Sequence, residues 1–263
     1  MKKRKSGKTI AIVSAKGGVG KTTTAINLAM ALNHFGKDTT LVDANLITPN
    51  VGVYLGVPIL PVTLHDAVRG KKSVSDAIYL HKSGTKIVPA SIAFQDIKRI
   101  NYDHIPDTIE DLRGSSELIL LDTPAGLAKE TINPLKAADE VLIVTTPEMP
   151  AITDALKTIK LCEEMKKKIL GIVVSKTNSK NADIPIKDIE AMLEIPVIAI
   201  IPEDRSVKFS QAKKDAVIHT HPTSAAAIQY KKLAAELLGE NYEEEIPTET
   251  FIDSVLKFFK IKE

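Results

Sequence analysis

The chain has 263 residues, of which 44% are hydrophobic and 26% charged, a composition typical of a soluble globular protein. Its formal net charge of +2 is small, but Lys and Arg crowd residues 1–8 and Glu crowds residues 240–249. A single cysteine, Cys162, excludes an intrachain disulfide, and no apolar run approaches the roughly 18 residues that a membrane-spanning helix needs.

The first predicted elements are a buried strand, a glycine-rich loop and a helix. Residues 9–14 are apolar and largely β-branched, which predicts a strand, and Thr22–Leu32 have helical spacing of Ala, Ile and Leu. A loop between them can turn its N–H groups around phosphate oxygens, and the helix dipole adds to the attraction. The loop consists of Ala15, Lys16, Gly17, Gly18, Val19, Gly20, Lys21, Thr22 and Thr23.

This loop carries most of the pattern G-x-x-x-x-G-K-[ST], with Ala15 in place of the first glycine. We expect Lys21 to reach the β- and γ-phosphates of a nucleotide and the Thr22 hydroxyl to bind Mg²⁺. The alternative is a glycine-rich turn that binds no ligand. Gly-Lys-Thr-Thr at the start of a helix favours the phosphate site.

The rest of the chain alternates strand-like and helical patterns as far as about Leu238. This alternation predicts a mostly parallel, twisted sheet with helices on both faces, in one α/β domain over residues 9–239. Cys162 lies in an apolar helical pattern, which indicates a core thiol. The predicted strands are Ile10–Val13, Thr40–Val42, Lys86–Val88, Leu118–Leu121, Val141–Thr145, Leu170–Val174 and Val197–Ile201, and the helices are Thr22–His34, Leu127–Lys136, Ile152–Met165, Ile186–Leu193 and Ala225–Leu238.

Two carboxylates directly follow predicted strands. Asp43 comes after Leu41-Val42, and Asp122 comes after the run at 118–121. Ligands of parallel sheets bind outside the carboxyl ends of the strands, so both aspartates are candidates to orient Mg²⁺ or its waters. The alternative is that each aspartate only caps the turn that follows it.

Taken together, these motifs resemble the MinD/ParA family of deviant Walker A ATPases, most closely its MinD branch. The loop from Lys16 to Thr23 resembles the deviant Walker A, Asp43-Ala44-Asn45 aligns with switch I, and residues 122–126 (Asp-Thr-Pro-Ala-Gly) resemble switch II. Residues 63–68, 76–78 and 200–204 are similar to further family segments. Related iron–sulfur carriers and arsenite-pump ATPases depend on several cysteines, and one cysteine cannot supply a cluster.

The resemblance implies a single-domain P-loop NTPase fold, ATP or ADP with Mg²⁺ as cofactors, and an ATP-dependent homodimer. It further implies that Lys16 crosses to the partner's nucleotide, and that Lys16, Lys21, Asp43, Asn45 and Asp122 form the catalytic set. Metal ligands would be Thr22, Asp43 and Asp122. Nucleotide contacts beyond the loop would come from Ser175, Lys176, Pro202, Glu203 and Asp204.

Two positions depart from the family pattern. Asn45 stands where the family usually has an aspartate that positions the attacking water, and asparagine cannot accept a proton. Losing general-base help costs about 10²–10⁴-fold where that help is large, so we expect slow hydrolysis, below about 1 s⁻¹. Ser175 stands where the family commonly has an asparagine that reads the adenine edge. A serine hydroxyl bonds fewer groups, so the preference for ATP over GTP is an inference from the family.

The C-terminal residues 250–263 predict an amphipathic helix, tethered by the acidic linker 240–249. Asp253, Lys257 and Lys260 fall on its polar face. This segment resembles the membrane-targeting helix of MinD proteins; the alternatives are packing on its own domain or on a protein partner. Its apolar face consists of Phe251, Ile252, Val255, Leu256, Phe258 and Phe259.

The basic tail, residues 1–8, could contact anionic lipid or nucleic-acid phosphates, or be a solvated tail; no interleaved aromatic residue indicates base stacking. It leads into a strand and not into the apolar core of a signal peptide, so we expect a cytoplasmic protein on the inner face of the membrane. The sequence thus predicts a slow, dimerising switch ATPase of MinD type that associates reversibly with the membrane and positions partner proteins at the division site. Two alternatives are a ParA-like partition ATPase that binds DNA nonspecifically and a nonhydrolysing ATP-gated scaffold.

Overall fold

The computed structural model describes residues 7–57, 59–98, 100–178 and 183–243. Within them the strands form one sheet in the order β3-β4-β2-β5-β1-β6-β7-β8, in which only β3 runs antiparallel to its neighbour. The predicted α/β fold with a mostly parallel sheet is therefore confirmed. The strands are β1 Lys8–Val13, β2 Thr39–Asp43, β3 Tyr79–Leu80, β4 Lys86–Val88, β5 Leu118–Asp122, β6 Glu140–Thr145, β7 Lys168–Thr177 and β8 Val197–Pro202.

Every helix predicted over residues 9–239 is present, with ends that differ by at most three residues from the predicted ones, and several short helices are added. The prediction missed these because helices of four to eight residues carry too little periodicity to recognise. It missed the two-residue strand β3 for the same reason. The α-helices are α1 Lys21–His34, α2 Val51–Tyr54, α3 Leu64–Val68, α4 Phe94–Ile97, α5 Ile105–Glu110, α6 Lys129–Ala137, α7 Met149–Glu164, α8 Ile186–Leu193, α9 Arg205–Ala212, α10 Val217–Thr220 and α11 Ala225–Leu238.

The sheet is covered on both faces because side chains alternate along each strand. In β1, Ile10 and Ile12 join a core with α1, α10 and α11, whereas Ala11 and Val13 join a second core with α5–α8. Both faces of the central strands are therefore apolar. This explains why these strands read as continuous hydrophobic runs in the sequence.

The parallel register brings the predicted site residues to one edge of the sheet. β5 pairs with β1 on one side and with β2 on the other, and Asp43 lies directly opposite Asp122. The glycine-rich loop leaves β1 at the same carboxyl edge and enters α1 at Lys21. Loop and both aspartates thus meet as the sequence predicts for the ends of parallel strands.

The two ends of the described chain lie at the opposite edge of the sheet. Lys8, which the sequence analysis assigns to the basic tail, is the first residue of β1, and its ammonium pairs with Glu140 at 2.5 Å. After α11, the ring of Tyr242 packs edge-on against Phe35, just beyond the far end of α1, at 5.6 Å between centroids. Residues 1–6 and 244–263, which include most of the predicted linker and the whole predicted C-terminal helix, lie outside the described residues.

None of the helices described between residues 7 and 243 has the length and the hydrophobicity to cross a bilayer.

Candidate functional site

The glycine-rich loop bends into a cradle at the amino end of α1. Gly18 and Gly20 have φ of +78° and +95°, in the left-handed region that favours glycine. Gly20 is also the residue that precedes α1, and no side chain caps the first N–H groups of that helix. Unpaired N–H groups at the start of a 14-residue helix form a binding site for an anion.

Lys21 places a buried ammonium at the base of this cradle. Its side chain is buried, with Nζ 3.5 Å from the carbonyl oxygen of Lys16. Burial lowers the pKa of Lys21, and the nearby carboxylate of Asp122 opposes that shift. A buried cation with one long hydrogen bond is well suited to pair with phosphate oxygens.

A groove runs from the cradle along the carboxyl edge of the sheet. Its phosphate part has a volume of about 360 Å³, and an adjoining part has about 250 Å³; Gly20, Thr23 and Lys176 line both. The shared lining shows that the two parts form one elongated groove, of the size and shape class that small ligands occupy. The phosphate part is also lined by Gly17, Gly18, Lys21, Thr22, Asn45, Thr48, Asn50, Thr123 and Ala125, and the adjoining part by Ser175, Ile201, Pro202, Glu203, Asp204, Val207, Lys208, Gln211 and Tyr230.

Asp122 and Thr22 form the best candidate metal pair. The Thr22 hydroxyl donates to Oδ2 of Asp122 at 2.7 Å, whereas Oδ1 of Asp122 is buried and has no hydrogen-bond partner among the residues that the structure describes. Burial raises the pKa of Asp122 to about 6, against the hydrogen bond from Thr22 and the charge of Lys21. A hydroxyl beside a carboxylate oxygen that lacks a partner suits Mg²⁺, which prefers oxygen ligands and keeps several waters.

Asp43 lies behind this pair and is already engaged with the backbone. One carboxylate oxygen accepts from the N–H groups of Asn50 and Val51 at 3.0 and 2.9 Å, and the other from the N–H of Asn45 at 3.3 Å. It is fully buried, and burial together with the neighbouring Asp122 raises its pKa. Asp43 therefore caps the start of α2, and it is not among the residues that line the groove.

Asn45 lines the groove, but its side chain is folded onto the loop that follows it. Its Nδ2 donates to the carbonyl and hydroxyl oxygens of Thr48 at 2.7 and 3.0 Å, and its Oδ1 accepts from the N–H of Thr48 at 3.1 Å. The sequence analysis missed Thr48 and Asn50 as lining residues. The Asn-Leu-Ile-Thr-Pro-Asn run could have indicated them, because Asn and Thr side chains commonly form such local turns.

Lys16 turns away from the phosphate part of the groove. Its ammonium pairs with Glu148, the residue before α7, at 2.8 Å; the Glu148 side chain is exposed to solvent and that of Lys16 is about one third exposed. The pKa of Glu148 lies below its usual value because of the hydrogen bond and charge of Lys16. The two lysines of the loop therefore differ: Lys21 faces the cradle and Lys16 faces away from it. Glu148 was not predicted from the sequence.

Ser175 and Lys176 hold the glycine-rich loop from the side of β7. The buried Ser175 hydroxyl lies within hydrogen-bonding reach of the Val19 carbonyl and 3.1 Å from that of Thr145. Lys176 has φ of +55° and donates through Nζ to the Gly18 carbonyl at 2.7 Å. A non-glycine residue in this region indicates local strain of the kind found at functional sites.

The groove's second part contains Pro202, Glu203 and Asp204, as predicted, and four residues that were not predicted. Val207, Lys208 and Gln211 come from α9, and Tyr230 comes from α11. Their contribution depends on two helices folding back over β8, which no local pattern in the sequence reveals. Asp204 itself accepts from the N–H groups of Ser206 and Ala226 at 2.7 and 3.1 Å, so it joins these helices to the strand.

Comparison with known proteins agrees with this geometry. A family model described as ParA, NUBPL iron-transfer P-loop NTPase, matches residues 5–238. An uncharacterized ATP-binding protein of Methanocaldococcus jannaschii is 35% identical over 250 residues, which cover 94% of this chain and 95% of that protein. Iron transfer through a cluster needs several cysteine ligands, whereas the sole cysteine here is buried in the core.

Two solved structures are similar over nearly the whole described fold. The cell division ATPase MinD of Pyrococcus furiosus has a TM-score of 0.86 at 33% identity, covering 89% of this chain and 99% of that one. The septum site-determining protein MinD of Pyrococcus horikoshii, complexed with Mg-ADP, has a TM-score of 0.85 at 31% identity, covering 88% and 96%.

Proposed function

The chain belongs to the MinD/ParA family of P-loop NTPases, and from this premise we propose that it is a slow ATPase of MinD type that dimerises when it binds ATP. The family-model match and the similar solved structures confirm the family that the sequence predicted. The predicted cofactors, a nucleotide with Mg²⁺, which the Pyrococcus horikoshii relative holds as Mg-ADP, are also confirmed. Dimerisation, hydrolysis, membrane binding and the division role are the parts that we propose.

The residues of the groove have distinct tasks in this proposal. Lys21 and the N–H groups of Gly18 and Gly20 bind the phosphates, while Thr22 and Asp122 hold Mg²⁺, with Asp43 behind them. The metal supplies charge neutralisation between the terminal phosphates. The base lies in the second part of the groove, between Pro202 and the residues of α9. Each of these groups is held by the fold before ligand arrives, which lowers the cost of ordering on binding.

The position of the Lys16 ammonium is the observation that supports dimerisation. Its ammonium lies outside the phosphate groove of its own chain, and its Glu148 partner is exposed. An exposed ion pair of this kind is weak, so exchanging Glu148 for a triphosphate costs little. A second copy that faces the groove would offer its nucleotide to Lys16, and each Lys16 would then contribute charge to the opposite site.

The geometry of Asn45 supports slow hydrolysis. Its amide is bonded to Thr48 through both its nitrogen and its oxygen, which leaves it little capacity to orient a water, and it has no basic group to accept a proton. Because phosphoryl transfer has a loose transition state, positioning and charge still allow turnover. The same observation favours a second candidate, a scaffold that dimerises on ATP without hydrolysing it. Single-turnover hydrolysis by the isolated dimer separates the two.

The proposal of membrane attachment rests on the sequence of residues 250–263 and on the position of Tyr242, which precedes them in the chain. Tyr242 packs beside Phe35 at the end of α1 that is remote from the groove. A membrane helix tethered there leaves the groove free to face a second copy. One short amphipathic helix binds weakly, whereas two in a dimer gain about 10²–10⁴-fold through avidity. ATP would thus control a peripheral location on the cytoplasmic face, to which the protein recruits its partner.

Liposome sedimentation tests the proposal. Full-length protein with ATP is expected to pellet with anionic vesicles, whereas protein with ADP, protein ending at Glu245, and the Lys16→Ala variant stay in the supernatant. Light scattering of the same samples reports the dimer. Equal pelleting in all four samples would contradict the proposal. Salt-sensitive retention on DNA with ATP, without vesicle binding, would instead favour the ParA-like alternative.

A further inference from the structure

His65 is a buried histidine whose two ring nitrogens are both hydrogen-bonded to backbone. It lies on α3 with 1% of its surface exposed. Nε2 is 3.0 Å from the carbonyl oxygen of Leu46, and Nδ1 is 3.0 Å from the N–H of Ser91. A carbonyl oxygen only accepts and a backbone N–H only donates. The ring is therefore the neutral tautomer with its proton on Nε2.

These two bonds join the segment that carries the groove-lining Asn45 to the segment that follows β4. Leu46 directly follows Asn45, in the segment 43–51 that we call the switch I segment, and Ser91 follows the end of β4. The helix that carries the ring is itself anchored: Leu64 N–H donates to the Pro89 carbonyl at 2.8 Å, and Thr63 and Asp66 form a reciprocal cap at its start. His65 is thus a bridge between a fixed part of the fold and the switch I segment.

The charged groups around the ring come from α3 and α4. Asp66 lies on α3 with His65, Arg69 directly follows that helix, and Asp96 on α4 pairs with Arg69 at 2.7 Å. Burial lowers the pKa of His65, and Arg69 adds to that effect, while the Leu46 carbonyl, Asp96 and Asp66 oppose it. The neutral ring is therefore favoured at neutral pH. Protonation would place an N–H on Nδ1 that faces the N–H of Ser91.

We propose that His65 is a positioning residue for hydrolysis, which holds the Leu46 carbonyl so that Asn45 and Thr48 line the phosphate groove, and which releases the switch I segment when its ring is protonated. The proposal rests on the ATPase activity proposed above. His65 is not among the residues that line the described groove, and its hydrogen bonds go to Leu46 and Ser91, so it acts through Leu46 and leaves the glycine-rich loop unaffected. Its loss should lower kcat and leave the KM for ATP unchanged.

Two substitutions separate the two bonds of the ring. In His65→Gln the amide nitrogen can reach the position of Nε2 and keep the bond to Leu46, whereas in His65→Asn the amide oxygen replaces Nδ1 and keeps only the bond to Ser91. We expect kcat to fall at least fivefold in His65→Asn and less than twofold in His65→Gln, since a lost buried hydrogen bond changes an equilibrium or rate by about 5–100-fold. ADP affinity should stay within about twofold of wild type in both variants, because the loop contacts are intact.

The pH profile supplies a second readout. Burial lowers the pKa of His65, so wild-type turnover should fall only below about pH 6.5, the ordinary pKa of histidine, and His65→Gln should lose a smaller fraction of its turnover over the same range. Equal kcat in both variants and wild type, or the same fractional loss of turnover at low pH in His65→Gln and wild type, would overturn the proposal.

Two measurements do not depend on turnover. In ¹⁵N spectra of histidine-labelled wild-type protein, the signal missing from His65→Asn should be a neutral ring with the proton on Nε2 at pH 7. Hydrogen exchange of residues 43–51 without nucleotide should be faster in His65→Asn than in His65→Gln. If wild-type protein does not hydrolyse ATP, the function proposed above fails, and these two measurements still decide the role of His65. A protonated or Nδ1–H ring, or equal exchange in both variants, refutes it.

Discussion

At the scale of single residues, Ser175 is bonded to the glycine-rich loop. The resemblance implies that the family residue at this position reads the edge of the base, and the Ser175 hydroxyl is buried against the carbonyls of Val19 and Thr145. A hydroxyl has one proton, so these acceptors occupy its donor capacity, while its oxygen can still accept a hydrogen bond. Ser175 therefore supports the glycine-rich loop, and we expect selectivity between bases to come mainly from the residues of α9 and of the strand end at Pro202.

Ser175→Ala is expected to weaken ADP and GDP binding by the same factor. Losing the hydroxyl leaves buried carbonyl oxygens without a donor, a cost of about 1–3 kcal/mol, which corresponds to about 5–100-fold in affinity. Titration calorimetry with each nucleotide measures this, with Ser73→Ala at a distant exposed turn as the control. A selective loss of ADP binding would instead show that Ser175 contacts adenine.

At the scale of elements, α2 is a four-residue helix whose start depends on Asp43. The carboxylate accepts from two N–H groups at that start while lying directly opposite Asp122. Sequence reasoning offered a metal role and a capping role as alternatives for Asp43, and the geometry supports capping directly. The two roles are compatible, because Asp43 lies both beside Asp122 and at the start of α2. A structural change at Asp122 would therefore be transmitted to α2 through the Asp43 side chain.

Asp43→Ala is expected to lower the free energy of unfolding by about 1–2 kcal/mol, the usual cost of removing a cap. Asp43→Asn should cost less than half as much, because its amide oxygen can still accept from the helix start and the buried charge is removed. Urea unfolding without nucleotide or Mg²⁺ measures both. Equal stability of the two variants would mean that the cap contributes nothing to α2.

At the scale of the whole molecule, one sheet lies between two hydrophobic cores, and Cys162 lies inside one of these cores. It is fully buried, and burial raises the pKa of its thiol to about 11. Both the lack of access and the scarcity of thiolate protect it from alkylation. Because it is the only cysteine of the chain, its labelling reports on a single position.

Native protein at pH 7 is expected to resist iodoacetamide, since a pKa of about 11 leaves roughly a hundredth of the thiolate of an ordinary cysteine. Labelling should begin only at urea concentrations where circular dichroism shows unfolding. Mass spectrometry after timed labelling gives the midpoint. Rapid labelling in the absence of urea would show that the core around α7 opens independently of the sheet.

The sequence by itself determined the alternating α/β pattern, the ends of the long helices, the phosphate loop and the family. These follow from periodicity and from contiguous residues, because a strand, a glycine-rich loop and a helix that adjoin in sequence also adjoin in space. The register of Asp43 and Asp122 was predictable for a related reason, since neighbouring parallel strands end at the same edge.

Only the tertiary structure decided which partner each side chain has. Lys16 meets Glu148 across 132 positions of the chain, and Ser175 meets the Val19 carbonyl across 156. His65 joins Leu46 to Ser91, two backbone groups that carry no signal of their own in a sequence. A pattern can show that a residue is polar and lies at a strand end or within a short helix. The atom it bonds depends on how separate segments pack, and that packing places the Ser175 hydroxyl against the glycine-rich loop.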